Sequence, residues 1–288
     1  MRITVVIPTL NSEPTIGRAL EAIYGGDRLP DEVIIVDGCS RDKTIKIAQN
    51  FPVRVYPNPL VHAAAARNIG IQEAHSEVIA FTDSDCVPQA DWLARIVMNF
   101  DRDDGLAGVG GRMLPLPPVN EIEEFSGHVF LNEILRYPST GGEIVGRALA
   151  GAFITANCAY RRESLLRIGG FRDEFGNNAE DIDLYWRLVG REHLYYDPEV
   201  IVYHSFPTTR WALARKYFQH GIASSKLTRY HLGGPRVDWL LYRKLIANLW
   251  HLVTPGSEHK WATFYCIQLS AHILGKVYGS LLMRTVNL

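Results

Sequence analysis

The stretch ITVVIPTLNSEPTIGRALEAIYGGDRLPDEVIIVDG, residues 3–38, decides the fold. It opens with the β-branched run Ile3 to Ile7, closed by Pro8. A short, continuous apolar segment of this kind suits a strand buried on both faces of a parallel sheet. Asn11 or Ser12 is placed to cap a helix with Pro14 in its first turn. Ile16, Leu20 and Ile23 share one face of that helix, and Gly25-Gly26 ends it. Glu32 to Val36 is a second strand, ending in Asp37-Gly38.

The alternation continues outward. Ser40 is placed to cap a helix that turns Ile45 and Ala48 inward, and Val53 to Tyr56 is a third strand. Ala63 to Ala74 is a helix, and Val78 to Phe81 a fourth strand running into Thr82-Asp83-Ser84-Asp85. Trp92 to Phe100 is a further helix. The fold class is therefore α/β, a Rossmann-like, mostly parallel sheet flanked by helices. Open sheets of this class bind ligands at the carboxyl ends of their strands. Three segments end strands there: Pro8-Thr9-Leu10-Asn11, Asp37-Gly38-Cys39-Ser40 and Asp83-Ser84-Asp85.

Later residues are less regular. Leu114 to Val119 reads as a proline-rich extended loop, Glu121 to Arg136 as helical, and Gly151 to Arg162 as a strand. Glu163 to Gly169 reads as a short helix closed by Gly169-Gly170. Ala179 to Val189 is an amphipathic helix led by acids, and Tyr195 to Tyr203 is strand-like.

With 288 residues, 47% hydrophobic and 21% charged, the chain suits one globular domain or one domain with an appendage. Its formal net charge of -1 gives no reason to expect nucleic acid as a partner. Cys39, Cys86, Cys158 and Cys266 form no C-x-x-C pair, which argues against a zinc ribbon or a thioredoxin-type site. Scattered cysteines fit reduced thiols in a cytoplasm, and Cys86 reads as a packing residue. Met1 to Leu10 reads as a buried strand rather than a signal peptide.

The pair in Asp83-Ser84-Asp85 is the centre of the chemical argument. Two carboxylates after a buried strand reach a common ligand from one turn, but alone they repel a nucleotide diphosphate. A hard divalent cation between them resolves that conflict. Asp37 can accept hydrogen bonds from a base or ribose. Arg67, on a small-residue helix, can reach a diphosphate or form an ion pair. Glu180, Asp181 and Asp183 lie at a helix start, where carboxylates are stabilised in any case. The functional reading makes Asp181 a general base, with Arg187 steadying the acidic cluster. His204 ends a strand, and a neutral imidazole there can complete a metal shell.

In this order the segments resemble the family-2 glycosyltransferases with the GT-A fold, over roughly Arg2 to His204. The resemblance rests on Val5 to Asn11, Asp37 to Asp42, Ala66-Arg67-Asn68-Ile69-Gly70, Phe81 to Asp85, Gly151 to Arg162, Gly169-Gly170-Phe171 and Ala179 to Leu184. It implies a GT-A domain over residues 1–204, with a nucleotide-binding half to about residue 110 and an acceptor half over 111–204. It implies that Pro8, Thr9, Asn11, Asp37, Ser40, Arg67, Asp83 and Ser84 bind the donor. Asp85 and His204 would hold Mg²⁺ or Mn²⁺, Asp181 would be the catalytic base, and Asn157 and Glu180 would line the sugar and acceptor wall. The implied reaction is inverting, metal-dependent transfer of one sugar from a nucleotide-diphosphate donor, UDP-sugars first. The implied acceptors are glycans, lipid-linked groups or small molecules, including a lipid phosphate. Leu10 stands where many members carry an aromatic residue, and the processive Q-x-x-R-W signature is absent, Trp186-Arg187 having the reverse order. Two other readings compete. A nucleotidyltransferase would place a glycine-rich basic loop where Pro8 to Glu13 stand, and a noncatalytic sugar-nucleotide-binding protein would have little need of Asp83, Asp85 and Asp181.

Residues 205–288 form a helical, basic and aromatic region. From Ser205 to Ser257, eight Lys and Arg residues face the single acid Asp238, with Trp211, Trp239, Tyr242 and Trp250 interleaved. Val237 to Val253 reads as an amphipathic helix. Such a composition fits the cytoplasmic face of a membrane with anionic lipid, or a helical subdomain that packs on the core or dimerises. Thr263 to Met283 is largely apolar, but His272 and Lys276 interrupt it as a span.

Overall fold

The computed structural model describes residues 1–135, 137–254 and 260–288. β1 (Ile3–Thr9), α1 (Ile16–Tyr24), β2 (Glu32–Asp37), α2 (Thr44–Ala48), β3 (Arg54–Pro57), α3 (Ala63–Glu73) and β4 (Val78–Phe81) alternate. β5 (Cys86–Pro88), α4 (Trp92–Arg102), β6 (Leu106–Pro115), α5 (Glu121–Val129), β7 (Gly142–Glu143), β8 (Cys158–Arg161), α6 (Arg162–Arg167), α7 (Glu180–Leu188) and β9 (His193–His204) follow. The chain closes with α8 (Arg210–Leu227), α9 (Trp239–Val253) and α10 (Ala262–Met283).

The described strands form one sheet of nine in the order β3-β2-β1-β4-β8-β6-β9-β5, with β7 beside β9. The pairings β3-β2-β1-β4 are parallel, so their carboxyl ends line up along one edge. β8, β5 and β7 run antiparallel to their neighbours, and β6 and β9 are parallel to each other. Val5, Val6, Ile34, Ile35 and Ile79 are fully inaccessible, which is why these strands read as unbroken apolar runs. α3 comes unusually close to β1: a Cβ on Gly70 would lie 2.3 Å from Val6 Cγ1. Ala64 and Ala66 keep the rest of that helix face small and buried.

Several local expectations change. α1 begins at Ile16 with Thr15 as its N-cap, because the Ser12 carbonyl accepts from the N–H groups of Thr15 and Ile16 and holds residues 12–15 in a turn. Ser40 does not cap α2, which starts later at Thr44. The Ser40 hydroxyl instead donates to Asp37. Gly151 to Arg162 is not a strand throughout: a 3₁₀ turn occupies Arg147–Phe153 and β8 only Cys158–Arg161. Strand β6 extends to Pro115, into the stretch read as loop. The helical expectation over Glu121 to Arg136 is met by α5 and a π-helical turn, Phe130–Leu135, while Arg136 lies outside the described residues.

The chain packs as two compact units. One comprises Met1–Leu116 with Leu131–Ser205, and the other Pro117–Phe130 with Phe206–Leu288. The first contains the sheet and its core, in which Phe81, Phe153, Tyr160 and Tyr185 are buried. The second has a core of its own, Phe125, Val129, Leu213, Tyr217 and Phe264. Segment Pro117–Phe130, placed by sequence in the acceptor half, belongs to this second unit. Within it, the Glu123 carboxylate accepts from the Phe206 N–H at 3.1 Å.

Candidate active site

A cleft of about 600 Å³ opens in the first unit at the carboxyl ends of β1, β2 and β4. Pro8, Thr9, Asn11, Arg67, Asp83, Ser84, Asp85, Glu180, Asp181 and His204 all line it. Asp37, Ser40 and Asn157 do not line the cleft.

The β1 and β2 ends are tied to each other. Asp37 Oδ1 accepts from Thr9 Oγ1 at 3.1 Å and from Ser40 Oγ at 2.5 Å, while its Oδ2 accepts from the Ser40 N–H at 2.9 Å. Ser40 Oγ in turn accepts from the Asn11 N–H at 2.8 Å, and Asn11 Oδ1 accepts from the Arg41 N–H. Asp37 and Ser40 therefore stand behind the wall and shape the turn that presents Thr9, Leu10 and Asn11. On the facing side, the Ser12 and Ser84 hydroxyls lie 2.8 Å apart.

Backbone strain gathers around this cleft. Asn11, Cys39, Val61 and Ala179 have φ of 51°, 66°, 56° and 61°. A left-handed conformation is unfavourable for side-chain-bearing residues, above all a β-branched one such as Val61. Such strain persists only where surrounding bonds over-determine it, and it concentrates at functional positions. Asn11 and Val61 line the cleft, and Ala179 directly precedes Glu180.

Arg67 joins two elements. Its guanidinium is buried, donating to Glu180 Oε1 at 2.6 Å and to Asp83 Oδ1 at 2.8 Å, and it stacks over the Phe171 ring. α3 can bring it there because its alanines let the helix lie close to the sheet. Burial works against the charge on Arg67, but the carboxylates of Asp83, Glu180 and Asp181 outweigh it and hold its pKa above the ordinary value. Burial pushes the Glu180 pKa up to about 7, with Arg67 opposing and Asp181 reinforcing the rise. Burial also raises the Asp181 pKa, again against Arg67 and against the N–H groups of Ile182 and Thr155, which donate to it. Asp181 Oδ1 accepts from Ile182 N at 2.7 Å. A carboxylate with a raised pKa is a better proton acceptor, the property a general base needs.

Asp85 and His204 meet through sheet register. β5 pairs antiparallel with β9, placing Cys86 opposite His204, and His204 Nε2 lies 3.5 Å from Asp85 Oδ2. Among the described residues, the ligand atoms of Asp85, Cys86 and His204 lie within 4.8 Å of one another. Burial raises the Cys86 pKa well above its usual value, with Asp83 and Asp85 adding to the effect. A sulfur donor is soft and ill matched to a hard cation, which leaves one carboxylate oxygen and one imidazole nitrogen that could hold such an ion. That pair suits Mg²⁺ or Mn²⁺ completed by phosphate and water oxygens. The charge of the cleft points the same way: Asp83, Asp85, Glu180 and Asp181 face the single guanidinium of Arg67.

One other assignment changes. Asn157 is buried in the core: its Oδ1 accepts from Trp92 Nε1 at 2.8 Å, and its Nδ2 donates to the carbonyls of Arg112 and Val200. All of its polar capacity goes to holding α4, β6 and β9 together. Arg187 steadies the acidic cluster through Asp183. It donates to Asp183 Oδ2 at 2.9 Å and to the carbonyls of Ile168 and Gly170. Sequence reasoning missed Asn58, His62 and Asn177, which line the cleft. His62 carried a signal, since it directly precedes the alanine run: its Nδ1 caps α3 by accepting from the Ala65 N–H.

The glycosyl transferase family 2 profile matches residues 4–169, more than half of the chain. A pre-mycofactocin glycosyltransferase of Mycobacterium tuberculosis is 28% identical over 253 residues, covering 83% of this chain and 52% of that protein. An O-antigen chain rhamnosyltransferase of Salmonella typhimurium is 25% identical over 229 residues, covering 77% and 72%. The chain thus spans about half the length of the first of these relatives. Among solved structures, a mannosyltransferase from Pyrobaculum calidifontis in complex with GDP-Man and Mn²⁺ superposes with a TM-score of 0.67 at 19% identity, covering 96% of this chain and 86% of that one. TarS of S. aureus in complex with UDP-GlcNAc superposes at 0.59 and 14% identity, covering 99% and 93%. These likenesses show the GT-A fold expected from the sequence. The ordered strand ends from β1 to β4 and the α6 turn at Gly169 all fall inside the matched segment, and the chain belongs to glycosyl transferase family 2.

Proposed function

We propose that this chain transfers one sugar from a nucleotide-diphosphate sugar to an acceptor hydroxyl, with inversion at the anomeric carbon. The observation that carries the reading is the convergence on one cleft of Asp181, the buried Arg67 bridge and the Asp85–His204 pair. Asp181 takes the acceptor proton as the acceptor oxygen attacks the anomeric carbon. The new carbon–oxygen bond forms on the face opposite the breaking bond to the diphosphate, and the nucleoside diphosphate leaves with the electron pair. Asp85 and His204 would hold Mg²⁺ or Mn²⁺, which when bound neutralises charge on the departing diphosphate. Pro8, Thr9, Asn11 and Ser84 would form the donor wall. Arg67 acts as a positioning residue, fixing Asp83 on the donor side and Glu180 beside the base. Mn²⁺ in the solved mannosyltransferase supports a divalent ion here. Donors with UDP and GDP in solved neighbours keep both bases open, UDP first. The acceptor is a glycan, a lipid-linked group or a small molecule.

A thermal-shift screen of UDP, GDP, dTDP and CDP, each with and without Mn²⁺, tests the reading. The expected result is stabilisation by one nucleotide that requires the ion. No shift with any nucleotide, in folded protein, would reject the donor site.

A further inference from the structure

The helical unit, Pro117–Phe130 with Phe206–Leu288, carries eleven Lys and Arg residues against five acids, Glu121, Glu123, Glu124, Asp238 and Glu258, although the chain's overall charge is -1. Asp238 caps α9, its Oδ1 accepting from the Leu241 N–H. α9 leaves an apolar stripe exposed while its inward side is mixed, with Leu241 and Leu245 half-buried there. Its buried residue is Asn248, and by helical spacing Lys244 and His251 share that side. The opposite side carries Trp239, Ile246, Trp250 and Val253, which are 71%, 66%, 66% and 74% exposed. They follow one another at helical spacing, with Arg243 in the same stripe. α10 also leaves apolar residues in the open, although its first half buries Phe264 and Leu269. Its second half buries Lys276 and Ser280 and exposes Leu274, Tyr278 and Leu281. A helix meeting water turns its apolar stripe inward and its polar side outward. Two neighbouring helices that expose apolar residues in this way present a surface suited to a nonaqueous partner.

We propose that the helical unit docks on a lipid bilayer with anionic headgroups, through the outer stripe of α9. Charge selects this occupant over a second copy of the chain. A twofold pairing of α9 stripes would bring the excess positive charge of one copy against that of the other, whereas anionic headgroups complement it. The stripe has tryptophans toward both ends and an arginine between them, the composition of helices that lie at the headgroup layer. No described helix is long and apolar enough to cross a membrane, so the unit lies on the bilayer rather than spanning it.

Cosedimentation of the full chain with vesicles tests this. The vesicles are phosphatidylcholine alone, or phosphatidylcholine mixed with phosphatidylglycerol, at low and high salt. The full chain is expected to pellet with the mixed vesicles, more weakly at high salt, and little with phosphatidylcholine alone. The variant Trp239→Ser, Ile246→Ser, Trp250→Ser is expected to lose binding by about a hundredfold. Arg243→Gln alone is expected to lose about fivefold. These side chains are exposed, so both variants should keep the wild-type circular dichroism spectrum and nucleotide-dependent thermal shift. Equal pelleting of wild type and the triple variant would overturn the proposal, as would no pelleting of the wild type with mixed vesicles. So would a wild-type dimer by light scattering that the triple substitution converts to monomer while vesicle binding is absent.

Discussion

Arg67→Met removes the guanidinium that joins Asp83 to Glu180 while keeping a long apolar side chain in its place. The two bonds it breaks, 2.8 and 2.6 Å, differ in weight. The Asp83 side chain is 33% exposed, so water replaces much of that bond. Glu180 is 5% exposed, and its other oxygen, Oε2, has no hydrogen-bond partner among the described residues. Stranding one member of a buried pair costs about 3–5 kcal/mol. Glu180 can limit that cost by taking up a proton, since burial already pushes its pKa to about 7. We therefore expect a loss of about 3 kcal/mol at neutral pH. That corresponds to a fall in Tm of about 6–12 °C for a unit of this size. The double variant Arg67→Met, Glu180→Leu should recover most of the loss, because an apolar replacement of both partners leaves no stranded charge. Arg67 also lowers the pKa of Asp181, so its removal should move the acid limb of the kcat/KM profile to higher pH. Urea denaturation of wild type and both variants, with pH–rate profiles, measures each part. A single variant within about 1 kcal/mol of wild type and an unmoved acid limb would refute the bridge as described.

Three further outcomes follow from the same geometry. Glu180 holds a proton in the folded chain up to about pH 7, whereas an ordinary glutamate releases it near 4.5, so the carboxyl's contribution to stability is lost as pH rises between those values. Glu180→Gln should flatten the dependence of urea midpoint on pH in that window, and an unchanged slope would reject the assignment. Asn157→Ala should destabilise the chain by about 2–4 kcal/mol through the stranded Trp92 indole and two carbonyls, yet leave nucleotide affinity within twofold by calorimetry, roughly the scatter of a neutral change. A large affinity loss in folded Asn157→Ala would return it to the cleft wall. Asp85→Ala should abolish the Mn²⁺ dependence of nucleotide binding, and an unaltered dependence in calorimetry would remove Asp85 from the metal site.

Much of this was legible in the sequence, for a physical reason. β1, β2 and β4 are covered on both faces, so they appear as apolar runs, and the polar residues that follow them stand at the sheet edge. Asp83, Asp85 and Asp181 could be read because each follows such a run or leads a helix. β6 could not: Gly108, Gly110 and Gly111 look like breaks. They are needed because a Cβ at Gly110 would lie 2.0 Å from the Ala152 carbonyl oxygen, and one at Gly111 2.2 Å from that of Val200. β5, three residues long, is too short for any periodicity. The meeting of His204 with Asp85 depends on the β5–β9 register, which no local pattern encodes. Asn157 and Ser40 were misplaced for the same reason, since their partners, Trp92 and Asp37, come from elsewhere in the fold or from a turn that replaces the expected cap. The exposed apolar residues of α9 and α10 emerged only from burial, because composition alone gives each helix apolar residues without saying which way they point.

The central claim is that Asp181 removes the acceptor proton in a cleft that binds the donor by other groups. The most direct test compares wild type with Asp181→Asn, using the nucleotide sugar selected by the thermal-shift screen and a panel of hydroxyl acceptors. Donor affinity and nucleoside diphosphate release are measured on the same preparations. The account predicts donor affinity within about threefold of wild type, and release slowed by roughly 10²–10⁴-fold. Wild-type release rates in Asp181→Asn would contradict it.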